Sequence, residues 1–520
     1  SDEELTDRIM QLARFAWRNH PGYYHDGRIE NVLFEFGVKL DSYPGSDEVE
    51  YERNSLLQEH KEISILHLAT ELCQVGGHTR ILYQFVKRNK EKNQVIVLTK
   101  QPNKQIPQWV LDGIGEIPII SLDSIGSVFE RACLLRQLSN QAKKVILYHH
   151  PWDAVPVIAL SHKNCPPVLL ENHAHSWFWL GASVADMVFT HSSFHKLFTE
   201  ATSPVSNVMF LPFTQLDDLD MSVDQEDKQQ SRERLGIPAD CVCLITLGTS
   251  EKFIPNADYN FYATAQKIVR RFRKTRIYVI GSYPDENYPL DTDRIQFMGY
   301  VDDPTDYYRA ADICLDALPQ PSLGATLYAT LIGMACPMYK YGVNRVFNTA
   351  NFSGTRLYKE YVGAPETEEA YLNKLGYLIH HPEVRQQIAA EIRQEYAMLY
   401  AKEQLEQNLA GMFEIADRLE HAPALISEGT YIRNADSAEI ADAGSLQDIH
   451  GCLMFFDHYF GIQDKLAILA RLLINPRYTG EVLQLVASRL KRKVRTLCSG
   501  GFYGTSDSVL SASVSSHSGE

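Results

Sequence analysis

The chain has 520 residues, a hydrophobic fraction of 45% and a formal net charge of −15 at pH 7. This length exceeds what one hydrophobic core normally supports, so we expect two or three domains. The acidic balance disfavours a nucleic-acid-binding protein, which would carry a basic face. No apolar run approaches the roughly 20 residues of a membrane-spanning helix. The nine cysteines form no Cys-x-x-Cys pair and the first residues lack a signal-peptide core, which favours a cytoplasmic protein.

The first 60 residues have helical periodicity. Apolar side chains recur at helical spacing at Leu5, Ile9, Leu12 and Trp17, which predicts an amphipathic helix. The sequence contains no internal repeat of the kind that builds solenoids. We therefore interpret residues 1–60 as a helical arm that docks on the main body.

A first α/β domain is predicted over residues 61–215. Compact apolar runs predict strands at residues 63–70, 95–100, 117–120, 145–150, 168–175 and 187–193. Helical segments lie between these runs, and such alternation is typical of a parallel, doubly wound sheet. Ligands bind at the carboxyl ends of the strands in sheets of this kind.

Histidines collect at those strand ends, at positions 149, 150, 173, 175 and 191. An imidazole titrates near neutrality and suits both general-base catalysis and charge stabilisation. A purely structural role is the alternative for each histidine. A zinc ion bound by His173 and His175 is a second alternative.

An acidic, polar linker is predicted at residues 216–236, followed by a second α/β domain over residues 237–360. Its predicted strands are residues 241–247, 276–281, 295–298 and 313–315. After the last of these, a loop rich in proline and glycine opens a helix near Gly324. The first turn of a helix offers free N–H groups and a positive dipole end, which can hold a phosphate. An ordinary strand-to-helix connection is the alternative.

Residues 311–338 read ADICLDALPQPSLGATLYATLIGMACPM. This segment resembles the donor-binding region of GT-B glycosyltransferases, and most of all the group of O-linked N-acetylglucosamine transferases and cytoplasmic N-glycosyltransferases. The resemblance implies an α/β fold of two Rossmann-like domains facing across a cleft. It implies transfer of a sugar from a nucleoside-diphosphate sugar to a hydroxyl or amide acceptor, which could belong to a protein. UDP is the favoured nucleotide. The resemblance implies no metal ion or other cofactor.

The resemblance also implies particular contacts with the donor. Backbone amides at Gly324, Ala325 and Thr326 would meet the diphosphate. Thr330 occupies the position where the family carries an Asp or Glu that binds the ribose, so the ribose contact would lose the strength of a charged partner.

Two further loops resemble those of GT-B enzymes. Residues 248–255, GTSEKFIP, resemble the family's Lys-hydrophobic-x-Pro loop. The resemblance implies that Lys252 binds the diphosphate and that Gly248 and Thr249 lie beside it. A fixed cation there would stabilise the leaving group. Gly76 and Gly77 resemble the first glycine loop. The resemblance makes His175 the first candidate for the family's catalytic histidine and His173 the second.

Two rival functions stay open. A retaining GT-B enzyme of glycan or glycolipid synthesis is one, although the arginine that should accompany Lys252 is missing. The other is a catalytically weak nucleotide-binding scaffold, which Thr330 in place of a carboxylate would suit.

The C-terminal third is predicted to be largely helical. Residues 361–423 read as long helices that could cross back to the first domain, with Pro382 to Leu419 as one strongly helical run. Residues 424–495 begin with a polar segment and continue as a helical extension. Its broad apolar surface should pack on the main body or on a second copy of the chain. The serine-rich residues 496–520 read as a disordered tail.

Overall fold

The computed structural model describes residues 1–19, 24–43, 56–74, 77–101, 105–174, 177–191, 193–212, 225–255, 259–301, 303–319, 322–339, 364–400 and 402–427. The chain divides into the units Ser1–Ser445 and Leu446–Glu520. All described residues belong to the first unit. The predicted extension, its pairing surface and the tail therefore lie outside the described residues, apart from residues 424–427.

The N-terminal arm consists of helices α1 (Asp2–Asn19) and α2 (Gly27–Val38) with a short 3-10 turn (Leu40–Ser42). Asp26 caps α2, and its side chain accepts a hydrogen bond of 2.9 Å from the amide of Arg28. Ile9, Ala13 and Leu33 are buried in the core of the first sheet. The arm is helical and docked, as predicted, but Leu5 and Leu12 of the predicted apolar face are exposed.

The first sheet contains seven parallel strands in the order β3-β2-β1-β4-β5-β6-β7. The strands are β1 (Ile63–Ala69), β2 (Gln94–Leu98), β3 (Ile119–Ser121), β4 (Ala142–Tyr148), β5 (Val168–Glu171), β6 (Met187–Thr190) and β7 (Val208–Phe210). Its helices are α3 (Gly77–Arg88), α4 (Gln108–Ile114), α5 (Val128–Ser139), α6 (Val155–Leu160) and α7 (Ser193–Thr202). The sequence analysis did not predict β7, which is only three residues long and half-buried.

Alternation along the central strand β1 explains why both faces of this sheet are covered. Leu66 and Leu68 belong to one core cluster, whereas Ile65 and Ala69 belong to the cluster on the opposite face. Successive side chains of a strand point to opposite faces. An almost continuous apolar strand therefore needs a layer of helices on each side.

The second sheet contains four parallel strands in the order β10-β9-β8-β11. They are β8 (Val242–Leu247), β9 (Thr275–Ile280), β10 (Ile295–Gly299) and β11 (Ile313–Cys314), and Ile313 also bridges Ala335. The helices of this half are α8 (Gln225–Leu235), α9 (Phe261–Arg271), α10 (Thr305–Ala310) and α11 (Leu323–Leu331), with a 3-10 turn at Ser250–Phe253. Both halves are therefore parallel α/β sheets, as predicted.

Helix α8 lies inside the region predicted to be a linker, which corrects the expectation for residues 216–236. Its composition is highly polar, so periodicity gave no helix signal. Ion pairs hold it instead: Arg232 lies 2.7 Å and Lys228 2.6 Å from the carboxylate of Asp312. Asp312 also accepts a hydrogen bond of 2.8 Å from the amide of Cys243. A carboxylate brought in from a distant loop thus stabilises this helix.

After the second sheet the chain forms α12 (Glu368–His380), α13 (Pro382–Tyr400) and α14 (Lys402–Ala416). Both α13 and α14 lie within the run predicted to be helical from Pro382 to Leu419. Helix α13 packs against α11 of the second half. In α14, Leu405, Leu409 and Met412 are buried in the core of the first sheet. The chain therefore returns from the second half to the first.

The buried carboxylate of Asp312 provides a test of how this half is held together. Asp312→Ala should lower the free energy of unfolding by about 3–5 kcal/mol, because Arg232 would remain buried without its partner. Asp306→Ala is the matched control, since Asp306 pairs with the more exposed Arg234 of the same helix. Urea titration of both variants measures the difference, and equal losses would contradict the proposed importance of Asp312.

Candidate functional site

Glycines line the carboxyl edge of the second sheet. Gly248 and Gly281 follow β8 and β9, and Gly299 ends β10; the last two have φ angles of +87° and +63°. A Cβ atom at Gly281 would lie 3.0 Å from the carbonyl oxygen of Gly248. A Cβ atom at Gly299 would lie 2.8 Å from the ring of Tyr283. At both positions the neighbouring loop fills the space that a side chain would need, so glycine lets the loops of this edge pack closely.

Lys252 and the start of α11 meet at Gly248. A Cβ atom at Gly248 would lie 2.9 Å from Cδ of Lys252 and 3.3 Å from Oγ of Ser322. Burial lowers the pKa of Lys252, and the carboxylate of Asp316 opposes this shift. The lysine stem and the beginning of the helix thus share one corner of the edge, with an acidic group beside the ammonium.

Asp316 fixes the geometry of that helix start. Its Oδ1 accepts hydrogen bonds from the amide of Ser322 (3.1 Å) and the hydroxyl of Thr326 (3.4 Å). The side chain of Ser322, at the N-cap, makes no capping hydrogen bond. The first helical turn, with Gly324 and Ala325, therefore keeps amides that can serve an anion.

Two of the predicted donor contacts do not fit this arrangement. The amide of Thr326 donates to the carbonyl oxygen of Ser322 at 3.0 Å, so it already makes the first hydrogen bond of the helix. Thr330 is completely buried, because it lies one turn beyond Thr326 on the same inward face. Its hydroxyl is not open to a ribose in the cleft. Gly248, Thr249, Lys252, Gly324 and Ala325 do lie together at the edge.

The carboxyl edge of the first sheet carries a buried carboxylate held by two histidines. Glu171 accepts from Nδ1 of His173 at 2.8 Å and from Nε2 of His191 at 2.7 Å. Burial alone would raise the pKa of Glu171, but the two histidines hold this pKa well below its usual range. An ionised carboxylate can only accept hydrogen bonds, so Nδ1 of His173 carries the proton. Nε2 of the half-exposed His173 is then free to act as a base.

A row of aromatic rings runs along this edge, which we call the histidine strip: His173, His78, His150 and Trp152. Neighbouring ring centroids lie 5.6 Å, 5.2 Å and 4.8 Å apart in that order. Burial lowers the pKa of His78 to about 4 and that of His150 further still. These two rings are therefore uncharged at pH 7. The middle of the strip therefore carries no charge, but its rings can still form hydrogen bonds.

Other predicted site residues lie elsewhere. His149 is buried and contacts the carbonyl oxygen of Leu180 at 2.8 Å through Nε2, which is a structural role. Gly77 begins α3 at this edge. Gly76 and His175, the leading catalytic candidate, lie outside the described residues, so their roles remain predictions.

The zinc alternative stays untested, because its ligand His175 lies outside the described residues. Within the described ranges, no group of three or more His, Cys, Asp or Glu side chains is placed to hold a metal ion. The seven cysteines of those ranges are free thiols.

None of the helices in the same ranges has the length and apolarity needed to cross a bilayer.

The aromatic group at Trp177, Phe178 and Trp179 packs within the first half. Phe178 and Trp179 are buried in the first core, and Trp179 lies 4.1 Å from His25 between ring centroids. These residues therefore anchor the N-terminal arm.

Tyr308 adjoins the start of α11 in the second half. Tyr308 donates a hydrogen bond of 3.3 Å to the carbonyl oxygen of Ala325 in α11. Burial raises the pKa of Tyr308 well above its ordinary value, and the positive charge of Arg80, on α3, opposes this shift. The first turns of α3 and the start of α11 are thus in electrostatic range of one another.

Sequence reasoning did not assign site roles to Glu171 and Asp316. Each is a buried carboxylate that ends or follows an apolar strand. An acidic residue directly after an apolar run is the signal that could have identified them, because burying a carboxylate requires partners.

No family model matches the sequence, and no curated protein matches it. Among solved structures, Anabaena HepE in complex with UDP and glucose is similar with a TM-score of 0.51 and 13% identity, over 68% of this chain and 100% of that one. A glycosyltransferase from Rickettsia africae has a TM-score of 0.51 and 11% identity, over 68% of this chain and 99% of that one. At such identities the similarity establishes the fold. The prediction of a two-domain, Rossmann-like GT-B fold is confirmed.

The buried histidines predict loss of stability in mild acid. Burial lowers the pKa of His67 and His149 to about 4, compared with 6.5 in the unfolded chain. Between these values the unfolded chain binds more protons, so the free energy of unfolding should fall as the pH drops from 6.5 towards 4. Each such histidine contributes at most about 1.4 kcal/mol per pH unit.

Urea unfolding of the wild type and of His67→Gln, at pH values from 7.5 to 4.5, measures this effect. The variant should show a shallower pH dependence, because one of the titrating groups is gone. An unchanged slope in the variant would show that His67 is not among the groups responsible.

Proposed function

We propose that this protein is a glycosyltransferase that uses a nucleoside-diphosphate sugar. The observation that carries the proposal is the convergence of Lys252 and the start of α11 on Gly248 at the carboxyl edge of a parallel sheet. Such edges are the usual ligand sites of doubly wound folds. The GT-B fold supplies a second such edge, which carries the histidine strip.

The proposed donor site fits a diphosphate by charge and by geometry. The Lys252 ammonium would pair with one phosphate, and the amides of Gly324 and Ala325 would donate to the other. Asp316 stands beside Lys252. A bound diphosphate would therefore displace this carboxylate from the ammonium or share the ammonium with it. UDP is the nucleotide we favour, since HepE is a structural neighbour that was solved with UDP.

The proposed chemistry moves one glycosyl group. The acceptor oxygen forms a bond to the anomeric carbon, and the bond from that carbon to the phosphate oxygen breaks. The nucleoside diphosphate leaves with the bonding electrons beside Lys252, whose charge stabilises it. Nε2 of His173 takes the acceptor proton, and Glu171 stabilises the imidazolium that forms. The cytoplasmic location remains a prediction from the sequence.

Lys252→Ala tests the donor site. The variant should lose about 100-fold or more in turnover, because the leaving group would lack its cation. Its thermal stabilisation by UDP should also shrink, whereas wild-type protein at a hundred times the dissociation constant should gain about 2.7 kcal/mol.

Lys267→Ala is the matched control, since Lys267 lies on α9 and pairs with Glu368. It should retain wild-type nucleotide binding. If UDP, GDP and their sugars all fail to stabilise the wild type, the proposed donor site is refuted.

His173→Ala tests the proposed base. Turnover should fall by about 100-fold or more while UDP binding persists, because the imidazole acts on the acceptor rather than the nucleotide. Glu171→Gln should also lower turnover, since a neutral amide no longer fixes the tautomer of His173. Steady-state kinetics with a UDP-release assay measure both. His381→Ala, on the other half of the protein, is the control, and wild-type turnover in His173→Ala would remove that residue from the chemistry.

A further inference from the structure

The N-terminal arm reaches the histidine strip. Helix α1 places the ring of Trp17 against Trp152, with centroids 4.6 Å apart and planes inclined by 57°. The guanidinium carbon of Arg14, one turn earlier, lies 5.5 Å from the centroid of Trp152. Trp152 in turn adjoins His150. A helix outside both sheets thus extends the row of rings by one indole and one cation.

This end of the strip retains contact with solvent. Trp17 and Trp152 are partly exposed, and Arg14 is exposed. Of the carboxylates in the described ranges, none forms an ion pair with Arg14. By contrast Arg8, on the same helix, pairs with Glu4 at 2.6 Å. The guanidinium of Arg14 is thus exposed and lies over the ring of Trp152.

The chemistry of the three side chains defines the ligand. The face of an indole is electron-rich and attracts the C–H groups of a pyranose ring. An arginine binds carboxylate or phosphate through a planar fork of donors. Stacking and charge together suit a sugar that carries an acidic substituent, and they suit a neutral sugar less well.

We propose that Trp17, Trp152 and Arg14 form an acceptor subsite for a pyranose sugar bearing a carboxylate or a phosphate. This inference rests on the proposed glycosyl transfer. The acid group lies at Arg14 and the ring stacks on the indoles. The acceptor then extends along the strip, past His150 and His78, towards His173. The arm is accordingly a part of the binding site as well as a docked helix.

Sugar binding can be measured apart from donor chemistry. Glucuronic acid, glucose 6-phosphate and glucose would each be titrated into the UDP-saturated wild type, with tryptophan fluorescence and saturation-transfer NMR as readouts. We expect both acidic sugars to bind more tightly than glucose and to receive saturation at their ring protons. Comparison of the two acids shows whether carboxylate or phosphate is preferred.

Arg14→Gln should weaken the binding of the acidic sugars about tenfold, the size expected for losing a hydrogen bond to a charged group. The affinity for glucose should not change. Arg8→Gln is the matched control on the same helix and should bind all three sugars as the wild type does. Trp17→Ala should weaken all three. Because Trp17→Ala could also loosen the arm, Arg14→Gln, which alters an exposed side chain, is the decisive variant.

Two results would overturn the subsite. One is failure of all three sugars to bind the wild type. The other is equal affinity of acidic and neutral sugars in both the wild type and Arg14→Gln. Thermal stabilisation by UDP is recorded in the same samples. If UDP does not stabilise the wild type, the proposed donor site is refuted. If UDP stabilises it but the sugars do not bind, only the acceptor subsite is refuted.

Discussion

The carboxylate of Asp316 is the constraint on which the proposed donor site depends. It fixes the loop after β11 by accepting hydrogen bonds from the amide of Ser322 and the hydroxyl of Thr326. The direction of α11 follows from these two bonds. Asp316 also lies beside Lys252, and its charge offsets part of the cost of burying that ammonium. One acidic side chain thus holds both the lysine and the helix start in place.

Glu171 has the corresponding role on the first sheet. It lies fully buried at the end of β5 and is kept ionised by His173 and His191. The two sheets therefore use the same device, a buried carboxylate at a strand end that orients a neighbouring functional group. Parallel strands make this possible, because their carboxyl ends meet at one edge. The two edges differ in chemistry: one is rich in glycine with a lysine, and the other is a row of imidazole rings.

Additions to the two sheets contribute to the assembly of the site. Helix α14 returns to the first sheet and buries Leu405, Leu409 and Met412 there. The N-terminal arm is held by the buried Arg136, which donates to the carbonyl oxygen of Gly37 at 2.7 Å. That anchor fixes α2, against which α1 packs, and Trp17 of α1 meets Trp152. Elements that look peripheral along the chain therefore bear on the edge where the histidines lie.

The sequence alone determined the fold class and most strands, because buried parallel strands are short apolar runs that alternate with helical segments. It also placed Lys252, Gly324 and the strand-end histidines at the carboxyl edges of the two sheets. Tertiary structure decided the rest. Helix α8 forms because Asp312, distant in the chain, pairs with Arg232, and no local pattern encodes that pairing. Likewise Thr330 faces the interior and Arg14 meets Trp152 only because packing fixes how each helix is turned. Periodicity reports which residues share a face, whereas only the assembled protein shows what that face contacts.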